Sequence, residues 1–259
     1  MDSKALIEKY TSDFQQLFEL YTEFTAHTNI SAISTKEDVY RKHFEDSLAA
    51  YELILDLNAE IGTRLQAERR LDERMHVYTM LKIIDVGTGG GFPTLPLAIV
   101  ADRECLNIEF TALDSTAKKL KFIEIVKNSL GLSKLNTLAR RAEELGSEFV
   151  TIKPKKESVS EKQSQREYYD IALCRSVAHL RIILELCTPL IKKGGYFLAY
   201  KQANSELDEA KTALGKLGMS LIKRHKYFND EREVLVFKKE KNTKKEFPRN
   251  YSSIKNNPL

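Results

Sequence analysis

The sequence predicts an α/β fold: a mostly parallel sheet with one antiparallel strand, preceded by a helical N-terminal cap. Three observations carry this. From Leu81 onward, short apolar runs alternate with segments of helical period, the pattern of parallel strands joined by crossover helices. The last two apolar runs, "SLIKRHKYF" and "EVLVFKK", are separated only by "NDER", which is too short for a crossover and predicts an antiparallel hairpin. Before Leu81 the apolar residues recur at helical spacing. The expected division is a helical cap over 1–79 packed on the sheet domain of 80–239, with a basic tail over 240–259, all within one structural unit.

In order, Leu6, Tyr10, Phe14, Leu17, Tyr21 and Phe24 form one apolar stripe and predict a helix. "HTNISAIST" breaks it with turn formers, and Asp46 is placed to cap a following helix through Leu48, Tyr51 and Leu55. The charged stretch Glu60–Arg74 reads as an exposed helix or an insertion. "LKIIDVG" is the first strand, and "PTLPLAIV" is a helix with proline at its start, where a missing N–H is harmless. "NIEFTALD" is the second strand. The helix "TAKKLKFIEIVKNSLGL" follows, with core face Leu120, Ile123, Val126 and Leu130, and stops at Gly131. "LNTLARRAEEL" is a third strand and turn, and the polar "TIKPKKESVSEKQSQRE" is a flexible loop. "YYDIALCRS" is the fourth strand, "LRIILELCTPLI" a helix, "KKGG" a turn, "YFLAYKQ" the fifth strand and "SELDEAKTALGKLG" its helix.

Composition narrows the class. The chain has 259 residues, 42% hydrophobic and 30% charged, as soluble globular domains do. No apolar run is long enough to span a bilayer, and "MDSKALIEKY" lacks the features of a signal peptide, so the expected location is cytoplasmic, away from any membrane. Cys105, Cys174 and Cys187 are odd in number and show no C-x-x-C spacing, which fits reduced thiols. The histidines are scattered, so no metal is expected. Net charge is +4, yet residues 238–259 hold seven Lys/Arg against two Glu. The basic character therefore sits in the tail, as a solvated, disordered segment or as a seat for a polyanion.

The stretch with most chemical content is "IIDVGTGGGFPTLPLAI", with four glycines among the five residues 87–91. A phosphate-binding Walker loop would need Gly-Lys-Ser/Thr, which does not follow Gly91. A dinucleotide fingerprint would need glycine at the sixth position from Gly87, where Phe92 stands. The pattern is instead Asp-x-Gly-x-Gly-x-Gly from Asp85. This suits S-adenosylmethionine, a cofactor without phosphate, whose amino acid end can lie against bare backbone at the glycine turn. Asp114, ending the second strand, is placed to accept hydrogen bonds from both ribose hydroxyls, and can equally cap the helix beginning near Ser115 and Thr116. "RAEEL", with Ala142 and Glu143, falls where the adenine edge would lie. The layout is that of a class I Rossmann-like S-adenosylmethionine-dependent methyltransferase, with 80–239 as its catalytic domain.

Several stretches together resemble the RsmG (GidB) methyltransferases of bacterial small-subunit ribosomal RNA. They are "NISAI", "RKHFEDSLA", "IIDVGTGGGFPTLPLAI", "ALDSTAKKLKFI", "RRAEEL", "DIALCRSVAHL", "CTPLIKKGG" and "EFPRNYSSIKNNPL", in the family's order across nearly the whole chain. The glycine motif is shared by many methyltransferases; His-x-x-Asp-Ser-Leu, Gly-Phe-Pro and the C-terminal Phe-Pro-Arg are more specific. The resemblance implies methyl transfer from S-adenosylmethionine to guanosine N7 in 16S rRNA, either naked or in a small-subunit particle, by a monomer without metal. It implies that Asp85, Gly87 and Phe92 belong to the cofactor site, that Gly89 and Gly91 shape its turn, that Ala142 and Glu143 meet the adenosine, and that Arg175 lies at the pocket. Lys201 occupies the place of the family's strand-five lysine. His43, Asp46, Ser47, Lys201, Lys244, Lys245 and Arg249 are the expected RNA contacts. The family usually has glycine where Thr94 and Gln202 stand.

Guanine N7 offers an in-plane lone pair and carries no proton, so its methylation needs no general base, and in-line placement can supply much of the rate. No residue is therefore assigned as catalytic outright; Arg175, Lys201 and His43 are the candidates to grip guanine O6 or a phosphate. "LCRSV" at the end of the fourth strand lacks the Asn/Asp-Pro-Pro-aromatic cluster of exocyclic-amine enzymes. Cys174 reads as a strand cysteine and Cys187 as core. His43, Asp46 and Ser47 can close over cofactor or base, or simply cap and fill. A methyltransferase of another substrate and a non-catalytic, cofactor-binding RNA-associated factor are the alternatives.

Overall fold

In the computed structural model, which describes residues 2–28, 33, 35–68, 79–147, 164–203 and 206–259, the N-terminal apolar stripe folds as two helices rather than one. Helix α1 (Ser3–Lys9) ends at Tyr10, whose φ of −113° and ψ of 38° are not helical, and α2 (Thr11–Ala26) starts afresh. The side chains supply the reason: Thr11 Oγ1 donates to the Glu8 carbonyl at 2.6 Å, in competition with the helix ladder. Lys9 Nζ and the Tyr10 hydroxyl both donate to Glu104 Oε1, at 2.6 and 2.5 Å. Leu6, Phe14, Leu17 and Tyr21 are buried as expected, each contributing about 1.5–3 kcal/mol.

The chain divides into two compact units, Met1–Leu138 and Ala139–Leu259. In the first, a continuous helical run follows Thr35, whose Oγ1 accepts from Asp38 N at 3.3 Å: α3 (Lys36–Val39), a π-helical stretch (Tyr40–Glu45) and α4 (Asp46–Leu48). This corrects the reading of Asp46 as a cap. Thr35 takes the capping position, and Asp46 lies inside the helix, 2% exposed. Helix α5 (Tyr51–Glu68) buries Leu53, Ile54, Leu57 and Ile61. The rest of the charged stretch, like most of "HTNISAIST" and of the polar loop before Ser164, lies outside the described residues.

Strand β1 (Leu81–Val86) pairs in parallel with β2 (Ile108–Asp114), Leu81 opposite Ile108 and Val86 opposite Leu113; β3 (Leu135–Ala139) lies on the other side of β2. Helix α6 (Thr94–Arg103) is buried all round from Thr94 to Ala101, while α7 (Ala117–Leu130) buries one stripe, Leu120, Ile123, Val126 and Leu130, with Phe122 beside it. Gly131 ends α7 at φ +70°, as predicted.

In the second unit α8 (Ala142–Leu145) precedes β4 (Tyr169–Arg175), α9 (Leu180–Cys187), β5 (Ile191–Gln202), α10 (Lys211–Leu217), β6 (Met219–Tyr227), β7 (Arg232–Lys239) and α11 (Tyr251–Asn256). The strands lie in the order β4-β5-β7-β6, with β4 parallel to β5 and β7 antiparallel to both its neighbours. The predicted class, a mostly parallel α/β fold with one antiparallel strand, is the one observed.

Two expectations fail here. "KKGG" is part of β5, where the register shifts from Tyr169 opposite Ile191 to Ile171 opposite Tyr196. Gly195 makes this irregularity possible, because a Cβ there would sit 2.5 Å from the Asp170 carbonyl. The tail is also folded rather than solvated. Phe247 and Ile254 are buried, and Asn250 caps α11 by accepting from Ser253 N at 2.9 Å. Arg166, from the supposed flexible loop, donates to the carbonyls of Phe247, Thr243 and Lys244 at 2.6, 2.7 and 2.9 Å.

Gly195→Ala is expected to lower stability by about 1–3 kcal/mol, since backbone must move to admit the methyl group. Gly62→Ala, inside α5 with nothing within 4 Å of the new atom, raises it by about 1 kcal/mol. Urea unfolding of the two variants beside the parent checks both signs.

Candidate functional site

The glycine turn follows directly from the end of β1. Gly87, Gly89 and Gly91 have φ of 75°, 58° and 86°, a conformation closed to most side chains. Their surroundings differ. A Cβ on Gly91 would lie 2.6 Å from Leu95 Cδ1 and 3.0 Å from Ile123 Cγ1, so that glycine serves helix packing. At Gly89 the nearest heavy atom to such a Cβ is the Gly87 carbonyl at 4.0 Å, so the turn faces open space there.

Two hydroxyls and a carboxylate hold the turn to the next helix. Thr88 Oγ1 donates to Thr94 Oγ1 at 3.5 Å, and Thr94 Oγ1 donates to Asp85 Oδ2 at 2.7 Å. Asp85 is 1% exposed, so in this chain it acts beneath the turn. Asp114 closes the turn from β2: its Oδ2 accepts from Gly89 N at 3.1 Å and its Oδ1 from Thr116 N at 2.8 Å, with Lys119 Nζ at 3.7 Å. The bond to Thr116 forms a local Asx turn, because the residue at the cap of α7 is Thr116 itself.

This arrangement discriminates between ligands. Each Asp114 oxygen accepts one of these hydrogen bonds and carries two lone pairs, leaving acceptor capacity for hydroxyl donors. A carboxylate beside the turn repels phosphate. Bare backbone at Gly89, open space in front of it and an anionic acceptor fit a sulfonium nucleoside with a ribose diol.

Phe92, 6% exposed, forms an aromatic wall after the turn. The His43 ring is stacked on it, with centroids 4.4 Å apart and an interplanar angle of 6°; Tyr21 meets it edge-on at 5.9 Å. Tyr21 OH donates to the Ile33 carbonyl at 2.7 Å and lies 3.4 Å from His43 Nε2. His43 projects from the π-helical stretch, a type of distortion frequent at functional sites. Ser47, fully buried, donates to the His43 carbonyl. The first unit thus brings Asp85, Gly87, Gly89, Gly91, Phe92, Asp114 and His43 together. His43, Asp46 and Ser47, expected at RNA, are buried in it.

In the second unit Ala142 opens α8, and Glu143 Oε1 accepts from Arg141 Nε at 2.5 Å. Arg175 is the last residue of β4 and partly exposed. Lys201, near the end of β5, donates to the Ala178 carbonyl at 2.8 Å and to Glu206 Oε2 at 2.6 Å. Glu206 also accepts from Leu180 N at 2.5 Å and ties together the chain after β4 and after β5. Burial pushes the Glu206 carboxyl up, but the hydrogen bonds of Lys201 and Leu180, with the nearby charges of Lys201 and His179, outweigh it and hold it below its ordinary value.

Lys244 and Lys245 are exposed. Arg249 is engaged within the protein: its guanidinium donates to both oxygens of the fully buried Glu185, at 2.9 and 2.6 Å, and to the Asn257 carbonyl at 3.1 Å. Here Arg249 anchors the tail to α9. Thr94, Tyr21, Glu206, Glu185 and Arg166 were missed in the sequence. Glu185 had a signal, as the one acid within the apolar "LRIILELC"; Arg166 had none. The three cysteines are free thiols, as expected. Among the described residues no group of His, Cys, Asp and Glu is arranged to hold a metal, and no helix is long and apolar enough to cross a membrane.

Comparison with known proteins agrees with this geometry. A family model described as GidB, rRNA small subunit methyltransferase G, matches residues 71–235. Two proteins named ribosomal RNA small subunit methyltransferase G are similar over nearly the full length. That of Lactobacillus helveticus is 32% identical, covering 98% of this chain and 93% of its own. That of Ligilactobacillus salivarius is 34% identical, covering 96% and 92%. Among solved structures, the CMeT domain of the citrinin polyketide synthase matches with a TM-score of 0.50 at 12% identity, over 79% of this chain and 55% of that one, a likeness of fold alone.

Arg249→Met leaves the Glu185 charge buried without its guanidinium and is expected to cost about 3–5 kcal/mol, most of it recovered in Arg249→Met/Glu185→Met. Urea unfolding, with proteolysis of the tail as a second readout, measures both. Glu206 gives a pH dependence of definite sign. A carboxyl whose pKa is lowered on folding adds stability that is complete above its unfolded value of 4.5 and is lost as pH falls through the folded value. Between about pH 5 and about pH 3 the unfolding midpoint of Glu206→Gln therefore falls less steeply than that of the parent.

Proposed function

Since the chain belongs to the rRNA small subunit methyltransferase G (GidB) family, we propose that it transfers a methyl group from S-adenosylmethionine to N7 of a guanosine in 16S rRNA. The observation that carries the reading is Asp114, an anionic acceptor bonded to Gly89 at the rim of an open glycine turn. The substrate is 16S rRNA or a small-subunit particle, and the enzyme acts in the cytoplasm as a monomer.

S-adenosylmethionine, when bound, supplies a methyl group already activated by its sulfonium. The protein's part is placement. Asp114 would accept the ribose hydroxyls, Gly89 would leave room for the amino acid end, and Phe92, backed by His43 and Tyr21, would wall the seat. Ala142 and Glu143 are assigned to the adenosine portion and Arg175 to the pocket. Because guanine N7 bears no proton to remove, no base is required, and buried His43 serves as a wall rather than a proton acceptor. Donors directed at guanine O6 offset the charge developing on the purine, a role open to Arg175. Lys201 acts indirectly: joined to Glu206 and the Ala178 carbonyl, it fixes the chain leaving β4 and β5. Of the expected RNA contacts, Lys244 and Lys245 remain assigned to phosphate. Asp46 and Ser47 support the wall from behind.

Nucleoside analysis of 16S rRNA by mass spectrometry tests the reading. Cells lacking the gene lose one 7-methylguanosine, restored by the parent gene and not by Asp114→Ala. Calorimetry on the same folded variant shows weakened cofactor binding. An unchanged 7-methylguanosine content on deletion overturns the substrate, and full cofactor affinity in Asp114→Ala overturns the ribose assignment.

A further inference from the structure

Strand β6 has features the cofactor site does not use. It is the edge strand of the second unit's β4-β5-β7-β6 order, and most of its residues are exposed. From Met219 to Tyr227 it carries Lys223, Arg224, His225 and Lys226 and no acidic residue. Its register against β7 breaks between Leu221, opposite Phe237, and Lys223, opposite Val236, so Ile222 is an inserted residue and is 47% exposed. Beyond the bulge, alternation places Lys223, His225 and Tyr227 on one face and Arg224 and Lys226 on the other.

The rings of His225 and Tyr227 lie side by side on their face, centroids 6.3 Å apart at 19°, and Phe228 extends the row 5.0 Å from Tyr227. Burial, then the charge of Lys223, hold the imidazole below its ordinary pKa, so near neutral pH it is an uncharged flat ring. On the other face Arg224 is held by the buried Glu233 at 2.8 Å, and Lys226 lies 3.5 Å from Asp230.

Edge strands are often charged to prevent pairing with other chains, and a bulge serves the same end. That accounts for lysines, or equally for glutamates. It does not account for a row of aligned rings beside Lys223. Adjacent flat rings flanked by cations match a single-stranded nucleic acid, whose bases stack on aromatics while its phosphates meet Lys and Arg. A basic protein partner would be repelled.

We propose that β6 is a second RNA-contact surface, with His225 and Tyr227 stacking on unpaired bases of the substrate RNA and Lys223, on the same face, meeting its phosphates. The proposal rests on the reading of the protein as an enzyme of rRNA, and is tested separately from methyl transfer. Fluorescence anisotropy with a labelled single-stranded oligoribonucleotide of mixed sequence is run on the parent, Tyr227→Leu and Lys223→Ala. Near-UV circular dichroism confirms that each is folded. Tyr227→Leu is expected to bind about tenfold more weakly. Lys223→Ala lowers the slope of log affinity against log salt by about 0.7. Cofactor affinity is unchanged in both. Unchanged RNA affinity and salt slope in folded variants overturn the proposal, whether or not the parent methylates 16S rRNA. Loss of binding to phosphatidylglycerol vesicles with RNA binding intact also overturns it, in favour of a lipid surface.

Discussion

The hydrogen bond from Gly89 N to the Asp114 carboxylate joins the two strand ends on which the first unit's chemistry depends. A turn with three residues at positive φ has few side-chain contacts of its own to define its shape. Here the shape is imposed from outside: by Asp114 in front, by the Thr88–Thr94–Asp85 chain beneath, and by the packing of Gly91 against Leu95 and Ile123. The parallel register that sets Val86 opposite Leu113 brings Asp114 to the turn, so strand pairing and site assembly are one event. The Thr94 hydroxyl supplies the link to Asp85.

The N-terminal segment belongs to the same construction. Phe92 would be a partly exposed ring beside the turn were it not covered by His43, Tyr21 and Phe44. A regular α-helix over 36–48 would advance each residue by a fixed angle; the π-helical stretch at Tyr40–Glu45 changes that phase in the segment carrying His43. The cost of a wider turn is thus borne at the site where His43 lies flat on Phe92. In the sequence the histidine can be either a contact to cofactor or RNA or a structural group; in the fold it lies buried against Phe92.

The sequence was most informative where local chemistry decides the outcome. The alternation of strands and helices, the core face of α7, its stop at Gly131, the closing hairpin and the Asp85-to-Asp114 motif all follow from period, propensity and spacing. What it concealed depends on partners distant in the chain. The break at Tyr10 reflects Glu104, the strand character of "KKGG" reflects the Asp170 carbonyl, and the order of the tail reflects Arg166 and Glu185. Charge alone misreads such residues, because an arginine has the same composition signature whether it faces solvent, backbone carbonyls as Arg166 does, or a buried carboxylate as Arg249 does.

That distinction bears on how a modest net charge of +4 can serve a polyanion. Cations already committed inside the fold contribute little to an outer field. Lys239 is wholly buried, and burial pushes its ammonium below its ordinary value against the opposing pull of Glu167. Its Nζ donates to Glu167 and to the Thr188 and Ile191 carbonyls. Arg249 belongs to Glu185 and Lys201 to Glu206. The tail's apparent excess of basic residues is therefore smaller at the surface than in the sequence. On the edge strand, too, Arg224 is held by Glu233 and Lys226 lies near Asp230, whereas Lys223, Lys244 and Lys245 are exposed. An electrostatic footprint has to be counted after the internal pairs are removed, on the edge strand as in the tail.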